Sequence, residues 1–237
     1  VLEGEEEVGS ENLDAFIRDQ RDELSADVVV ISDSPMFDRG IPSICYGLRG
    51  LTYFQIDLRG TASDLHSGSF GGAVANPAFV LSQVLAQMKD RGGRVKVPGF
   101  YDAVRPLREE ERSEFKKLPF NEKHYRKEIG APKLFGERDY TTLERVWARP
   151  TFEVNGLRSG FTGDGAKTVI PATATAKVSM RLVPDQEPDT IAKQFEDYLR
   201  KVTPKTVALT VTRMHGGRPW MTEFDNPYVQ AAARAVE

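Results

Sequence analysis

Residues 172–184 read Ala172-Thr-Ala-Thr-Ala-Lys-Val-Ser-Met-Arg-Leu-Val-Pro184. Ala174, Ala176, Val178, Met180 and Leu182 alternate with Thr173, Thr175, Lys177, Ser179 and Arg181. That is the period-two pattern of a strand with one face on a core and the other in water. Downstream, Pro188–Val202 carries Ile191, Phe195, Leu199 and Val202 at helical spacing, and Val207, Leu209 and Val211 mark a last strand. Upstream, residues 51–58 form a strand with Phe54, Ile56 and Leu58 on one face. Asn76-Pro77 opens a helix, a capping side chain followed by Pro at the first helical position, with Val80, Leu81, Val84, Leu85 and Met88 on one side. Residues 151–155 make a further short strand. Residues 100–147 are highly charged with short helical patterns and read as an insertion. With the insertion set aside the order is βαββαβ, the ferredoxin-like split βαβ sandwich, an α+β arrangement.

Before residue 51 the texture differs. Ser10 is a candidate N-cap, and Leu13, Phe16 and Ile17 form an apolar stripe at helical spacing. Residues 26–33 read as a buried strand whose polar end is Ser32-Asp33. Strand, helix, strand is an α/β pattern, and ligands gather outside the carboxyl ends of strands in such sheets. If Val1-Leu2 is the tail of another strand, the acidic run from Glu3 to Glu7 and Asp33 both lie at such ends. The expected division is an α/β part over 1–50, the βαββαβ domain over 51–214 with its insertion at about 100–147, and a return to the first domain over 215–237. The chain starts without Met and ends inside a helix opened by Asn226-Pro227, so it is expected to be a piece of a longer polypeptide.

Composition narrows the class. The chain has 237 residues, 40% of them hydrophobic, with a formal net charge of −3 and a pI near 5.8. That balance gives no reason to expect nucleic acid or an anionic membrane as partner. The single Cys45 excludes an internal disulfide framework, fits a reducing, cytoplasmic setting, and is expected to pack as a small hydrophobe. No apolar run reaches the roughly 18 residues of a membrane span.

Several motifs invite a chemical reading. Gly160-Phe-Thr-Gly-Asp-Gly-Ala-Lys-Thr168 is not a phosphate loop: Ala166 separates the last Gly from Lys167, and the segment runs into Pro171 and a strand rather than a helix. Ser69 lacks the spacing of a nucleophile elbow. His66 stands in Asp64-Leu-His-Ser-Gly-Ser-Phe-Gly-Gly72, whose glycines let backbone approach a ligand. His124 lies among charges and is expected to be solvated. His215, before Gly216-Gly-Arg-Pro-Trp220, is a moderate candidate at a domain return. Arg181 suits bidentate capture of a carboxylate, although exposed strand arginines are common.

Together, "EGEEEVGSENL", "ISDSPM", "YGLRGLTYFQI", "DLHSGSFGG", "GAKTVIPATATAKVSMRLVP" and "HGGRPW" resemble the M20 family of metallopeptidases, most closely its carnosinase-like, cytosolic non-specific dipeptidase branch. The resemblance implies a zinc-peptidase-like α/β catalytic domain followed by a ferredoxin-like lid and dimerisation domain. It implies that Glu6 is the general base and that Glu7 and Asp33 are ligands of two divalent ions, Zn or Mn. It further implies that His66 reaches a substrate in the partner subunit of a homodimer, that Thr168 and Arg181 contact substrate, and that His215 is a further active-site His. Asp rather than Glu at position 33 leans towards dipeptidase action. The chemistry is coherent. Adjacent strand-end residues point different ways, so one carboxylate can bind metal while its neighbour holds a water whose pKa the metal lowers. The remaining ligands are expected outside the chain, so this piece alone is expected to be inactive. Two alternatives stay open: an M20-type amidohydrolase that deacylates N-acyl amino acids, and a non-catalytic dimerisation module that kept the motifs.

Overall fold

The structure, a computed structural model, describes residues 4–8, 10, 12–31, 33 and 35–236. Contacts divide the chain into two compact units, Val1–Tyr46 with Glu223–Glu237, and Gly47–Thr222.

The first unit opens with a 3₁₀ turn over Glu6–Val8 and helix α1 (Leu13–Asp19). The sequence points to Ser10 as the N-cap, but Asn12 occupies that position and Ser10 sits in the left-handed region at φ 54°. The Asn12 side chain makes no cap; its amide donates to the Glu5 carboxylate at 2.9 and 3.0 Å. The stripe expected to bury α1 is open, with Phe16 and Ile17 both nearly half exposed. The described residues of the expected strand over 26–33 do not form one. Residues 28–31 are irregular, and Val29, Val30 and Ile31 are 75%, 83% and 73% exposed. An apolar run becomes a buried strand only when neighbouring strands pair with it, and no strand among the described residues does so. Cys45 is exposed rather than packed, in an irregular stretch of the chain. The expected strand tail at Val1-Leu2, together with Glu3 and Ser32, lies outside the described residues.

The second unit runs β1 (Gly47–Leu48), β2 (Gly50–Arg59), β3 (Leu65–His66), the helical turn α2 (Ser67–Phe70), α3 (Pro77–Ala86), α4 (Glu109–Lys117), α5 (Glu122–Glu128), α6 (Thr142–Trp147), β4 (Thr151–Ser159), β5 (Val169–Ile170), β6 (Thr173–Leu182), α7 (Pro188–Val202), β7 (Ala208–Gly217) and β8 (Trp220–Met221). Helix α8 (Pro227–Val236) then completes the first unit, with the Asn226 side chain accepting from the Tyr228 N–H at 2.9 Å.

Four antiparallel strands form one sheet in the order β4-β6-β2-β7, and α3 and α7 pack on it. This is the βαββαβ sandwich that the alternation in β6 predicts. Phe54, Ile56 and Leu58 of β2 meet Ala174, Ala176, Val178, Met180 and Leu182 of β6 in the core, and Val80, Leu81, Val84, Ile191, Phe195 and Leu199 close it from the helices. The Phe195 ring lies 4.9 Å from that of Phe54 and 5.9 Å from that of Phe152. Helix α3 starts where expected because the Asn76 side chain accepts from the Ala78 N–H at 3.0 Å ahead of Pro77.

Strands β4 and β7 outrun their apolar patterns, and each contains a β-bulge. One lies between Val154 and Gly156. The other lies on β7, where Tyr53 and Phe54 face His215 and Arg213 and leave Met214 extra. A bulge moves the following residues to the opposite face. Counting by twos from Leu209 and Val211 would put His215 on the helix side with Arg213. The bulge turns it to the open face beside Tyr53.

The insertion holds α4, α5 and α6 with charge instead of an apolar core. Glu111 is 2% exposed and receives two hydrogen bonds from the Arg105 guanidinium, at 2.6 and 2.9 Å, and one from the Arg108 N–H at 2.9 Å. Buried Glu144 caps α6 through Thr141 and pairs with Arg112 at 3.2 Å. Arg149, 6% exposed, makes a bidentate pair with Glu137. Burial alone would raise the Glu111 pKa, but the Arg105 and Arg108 bonds and charges outweigh it and hold the carboxyl below its ordinary range. Folded Glu111 therefore binds its proton less readily than unfolded Glu111. Its contribution to stability is present above the ordinary carboxylate pKa of about 4.3 and is lost as pH falls through the lower folded value. Glu111→Gln should cost about 3 kcal/mol at neutral pH, since it takes the buried carboxylate away from the Arg105 and Arg108 charges paired with it. In urea titrations the gap to wild type should close below about pH 4; a gap that persists there would mean packing, not charge, is responsible.

Candidate active site

Of the seven sequence-predicted site residues, Glu6, Glu7 and Asp33 belong to the first unit and His66, Thr168, Arg181 and His215 to the second. Glu6 and Glu7 stand in the 3₁₀ turn with exposed side chains, and Asp33 is exposed in an irregular segment. Glu5, two positions after Glu3 in the same run, is engaged with Asn12. No group of three or more His, Cys, Asp or Glu able to hold a metal occurs among the described residues. Glu7 and Asp33 are carboxylate donors of the right chemistry, yet two donors fall short of the three or four protein ligands that a zinc centre uses. The described residues do not by themselves fit a metal ion.

In the second unit two of the predicted residues are brought together. Strand β3 pairs with β5, with His66 opposite Val169, and the Ser67 N–H donates to the Thr168 carbonyl at 2.9 Å. This short ladder joins two loops about a hundred residues apart in sequence and sets His66 Nε2 3.0 Å from Thr168 Oγ1. The other ring nitrogen, Nδ1, accepts from the Gly68 N–H at 3.1 Å. A nitrogen that accepts carries no proton, so the neutral ring holds its hydrogen on Nε2 and donates it to the Thr168 hydroxyl. That hydroxyl keeps its own O–H free to donate outward. The glycine is required by space: a Cβ at position 68 would stand 2.8 Å from His66 Cε1 and 3.1 Å from Nδ1. Asp64 anchors the same loop by accepting from the Ala172 N–H at 2.7 Å, where β6 begins.

Arg181 and His215 share the open face of the sheet on either side of β2. Arg181 is opposite Leu51, and His215, opposite Tyr53, stacks on its ring at 5.0 Å and 22°. Both are exposed. His124 is exposed on α5, as its charged surroundings suggest. Residues without a sequence signal of their own also matter here: Tyr53 as the platform for His215, Gly68 as the donor to His66, and Asp64 as the loop anchor. Gly68 and Asp64 lie inside the motif that holds His66, so closeness in sequence could have raised them. Tyr53 could not be raised, because its pairing depends on the bulge.

Residues 46–207 match the peptidase dimerisation domain of the M20 type. The whole chain is 33% identical over 241 residues to Beta-Ala-His dipeptidase of Homo sapiens, and 33% identical to Cys-Gly metallodipeptidase dug1 of Schizosaccharomyces pombe. It covers 48% of the first and 51% of the second, so the chain spans about half the length of the curated relatives it matches. Among solved structures, an M20 family metallo-carboxypeptidase from Sulfolobus solfataricus superposes with a TM-score of 0.87 at 34% identity, over 99% of this chain and 53% of that one. Human carnosine dipeptidase 1 superposes with a TM-score of 0.83 at 33% identity, over 99% and 50%. With the family model matching more than half of the chain and the split βαβ sheet in agreement, the chain belongs to the M20 peptidase family.

Proposed function

We propose that the protein containing this chain is a metal-dependent dipeptidase that hydrolyses the peptide bond of dipeptides in the cytoplasm. The observation that carries the reading is the exposed His66–Thr168 pair, in which the Nε2–H is spent on Thr168 Oγ1 and the Thr168 O–H is left to donate outward. A hydroxyl held this way suits a substrate carbonyl or carboxylate, while the same imidazole caps the helical turn α2 through the Gly68 N–H. Residues 1–50 and 215–237 act as part of the catalytic domain and residues 51–214 as the lid. Two divalent ions, Zn or Mn, would supply a water acidic enough to attack near neutral pH. Glu7 and Asp33 are the donors this chain offers towards them.

Glu6 is the base this chain offers: its carboxylate would take a proton from the attacking water and return it to the leaving amine. Arg181 holds the substrate carboxylate, and His215, fixed on Tyr53 on the same open face of the sheet, is a further substrate-binding residue. The relatives named as dipeptidases, with Asp at position 33, support dipeptides as substrates. Carboxypeptidase action is the second reading, supported by the Sulfolobus structure. A panel of dipeptides and longer peptides, assayed on the full-length protein with added Mn or Zn, separates the two: cleavage of long peptides at a rate equal to dipeptides would favour the second.

We further place His66 in the active site of the partner subunit of a homodimer formed through the lid; the match to a dimerisation domain supports this.

Three measurements test these assignments. Full-length Glu6→Gln should keep its metal content and lose at least about 10²-fold in kcat, the lower end for general acid–base catalysis; unchanged turnover would remove Glu6 from the role. Mixing that variant with His66→Ala, each nearly inactive alone, makes heterodimers with one intact site if His66 works in trans. Random pairing then restores activity to about a quarter of wild type, from two-fold symmetry and independent sites. No recovery, with subunit exchange confirmed by mass spectrometry, rules the trans arrangement out. Gly68→Ala should swing the imidazole and mix its tautomers. Nitrogen NMR of labelled His66 should show a single Nε2–H form in the wild type and a mixture in the variant, with kcat/KM down about tenfold. A variant with the wild-type nitrogen shifts would show that Gly68 does not set the tautomer.

A further inference from the structure

A cleft of about 390 Å³ opens within the second unit, where Ser179 and Arg181 of the sheet face Phe135, Gly136 and Arg145 of the insertion. That volume suits a small ligand. Its charge is one-sided: Arg49, Lys89, Arg145, Arg149 and Arg181 line it against Glu137 and Glu153. Both carboxylates are engaged. Glu153 pairs with Lys89 at 2.7 Å, and Glu137 takes the fork of Arg149. Arg145 spends one N–H on the Glu137 carbonyl at 2.8 Å, which leaves its terminal nitrogens for a ligand. Among the described residues no carboxylate pairs with Arg49, Arg145 or Arg181.

Arg49 and Arg181 are neighbours by register. Arg49 immediately precedes β2, whose second residue, Leu51, is opposite Arg181. Burial, and after it the positive charge of Arg181, hold the Arg49 guanidinium below its ordinary value. Two like charges kept together without a counter-ion cost free energy that a bound anion recovers. A carboxylate has an oxygen for each guanidinium, and arginine presents donors in the planar fork that carboxylates fit. One carboxylate between Arg49 and Arg181 still leaves Arg145 uncompensated.

We propose that this cleft receives the C-terminal residue of a dipeptide whose side chain is itself acidic, with the α-carboxylate between Arg49 and Arg181 and the side-chain carboxylate on Arg145. The inference rests on the dipeptidase reading and adds two things to it: Arg49 as a substrate-binding residue, and acidic C-terminal residues as the favoured class. Ala-Glu and Ala-Gln, alike in size and shape, isolate the second charge.

The test is calorimetric titration of the metal-loaded, full-length Glu6→Gln variant, which keeps the dipeptide intact while binding is read. Ala-Glu should bind at least about tenfold more tightly than Ala-Gln. Adding Arg145→Met should bring the two within about twofold of each other, while Arg145→Lys keeps part of the preference. Adding Arg49→Met should weaken both dipeptides by about tenfold, because both carry the α-carboxylate. Thermal melts confirm that each variant is folded, and the Arg→Lys variants stand in for any that is not. Equal affinity for the two dipeptides, a preference that survives Arg145→Met, or no binding of either overturns the assignment. Hydrolysis by the wild-type enzyme is read separately. A protein that prefers Ala-Glu in binding but cleaves no dipeptide refutes the dipeptidase reading and leaves the cleft assignment standing. One that binds and cleaves both equally does the reverse.

Discussion

Ten consecutive residues of β2 pair with ten of β6 without a register shift, from Gly50 opposite Leu182 to Arg59 opposite Thr173. Side chains alternate between faces along a strand, so this ladder decides for both strands which residues meet the helices and which do not. Thr52, Phe54, Ile56 and Leu58 fall on the buried side with the apolar set of β6. Leu51, Tyr53 and Arg181 fall on the other side, and β7 brings His215 alongside them. The core and the open-face residues are therefore two readings of a single register. A slip by one position would bury Arg181 and expose Met180 together, which ties the position of a candidate site residue to the stability of the domain.

The insertion follows different rules. Its helices are short, between six and nine residues, and α4 offers almost no apolar stripe. Isolated helices of that length are marginal in water. What orders them is a set of buried ion pairs and caps around Glu111, Glu144 and Arg149, together with rings stacked by cations: the Arg149 guanidinium lies 4.2 Å from the centre of Tyr140 and 5.2 Å from that of Tyr101. Burial is the main reason that the Tyr101 hydroxyl is pushed up to about 12. Buried pairs of this kind add little net stability over apolar packing, but they are costly to break singly. They give the insertion one arrangement rather than many, and that arrangement includes Arg145.

The parts of the molecule that were legible in the sequence are those whose physics is local. Alternation in β6, the Asn76-Pro77 start of α3 and the spacing of Ile191, Phe195 and Leu199 each depend on residues within a few positions, and each matches the structure. Residues 28–31 misled because an apolar run reports that burial is wanted, not that a partner strand is at hand. The ends of β4 and β7 were out of reach because a bulge leaves no compositional trace beyond a Gly or an extra residue. For the site, motifs were enough to name His66 and Thr168, but not to say that they touch, since that depends on the β3–β5 ladder. Arg49 carries no pattern. It differs from any other arginine only in standing next to Arg181 across a strand pair.

The two bulges have a consequence apart from the side chains they turn. They sit on β4 and β7, the outer strands of the four-stranded sheet, while the β2–β6 ladder at its centre is unbroken. Outer strands present unpaired backbone donors and acceptors, an open template on which a stray polypeptide could add itself. A bulge spoils that template, because an incoming straight strand cannot keep its hydrogen bonds in phase on both sides of the extra residue. The irregularity at Met214 that orients His215 thus also guards one margin of the sheet against uncontrolled growth, and the one at Val154–Gly156 guards the other, beside the exposed side chains of Val154 and Leu157 where adhesion would otherwise be easiest.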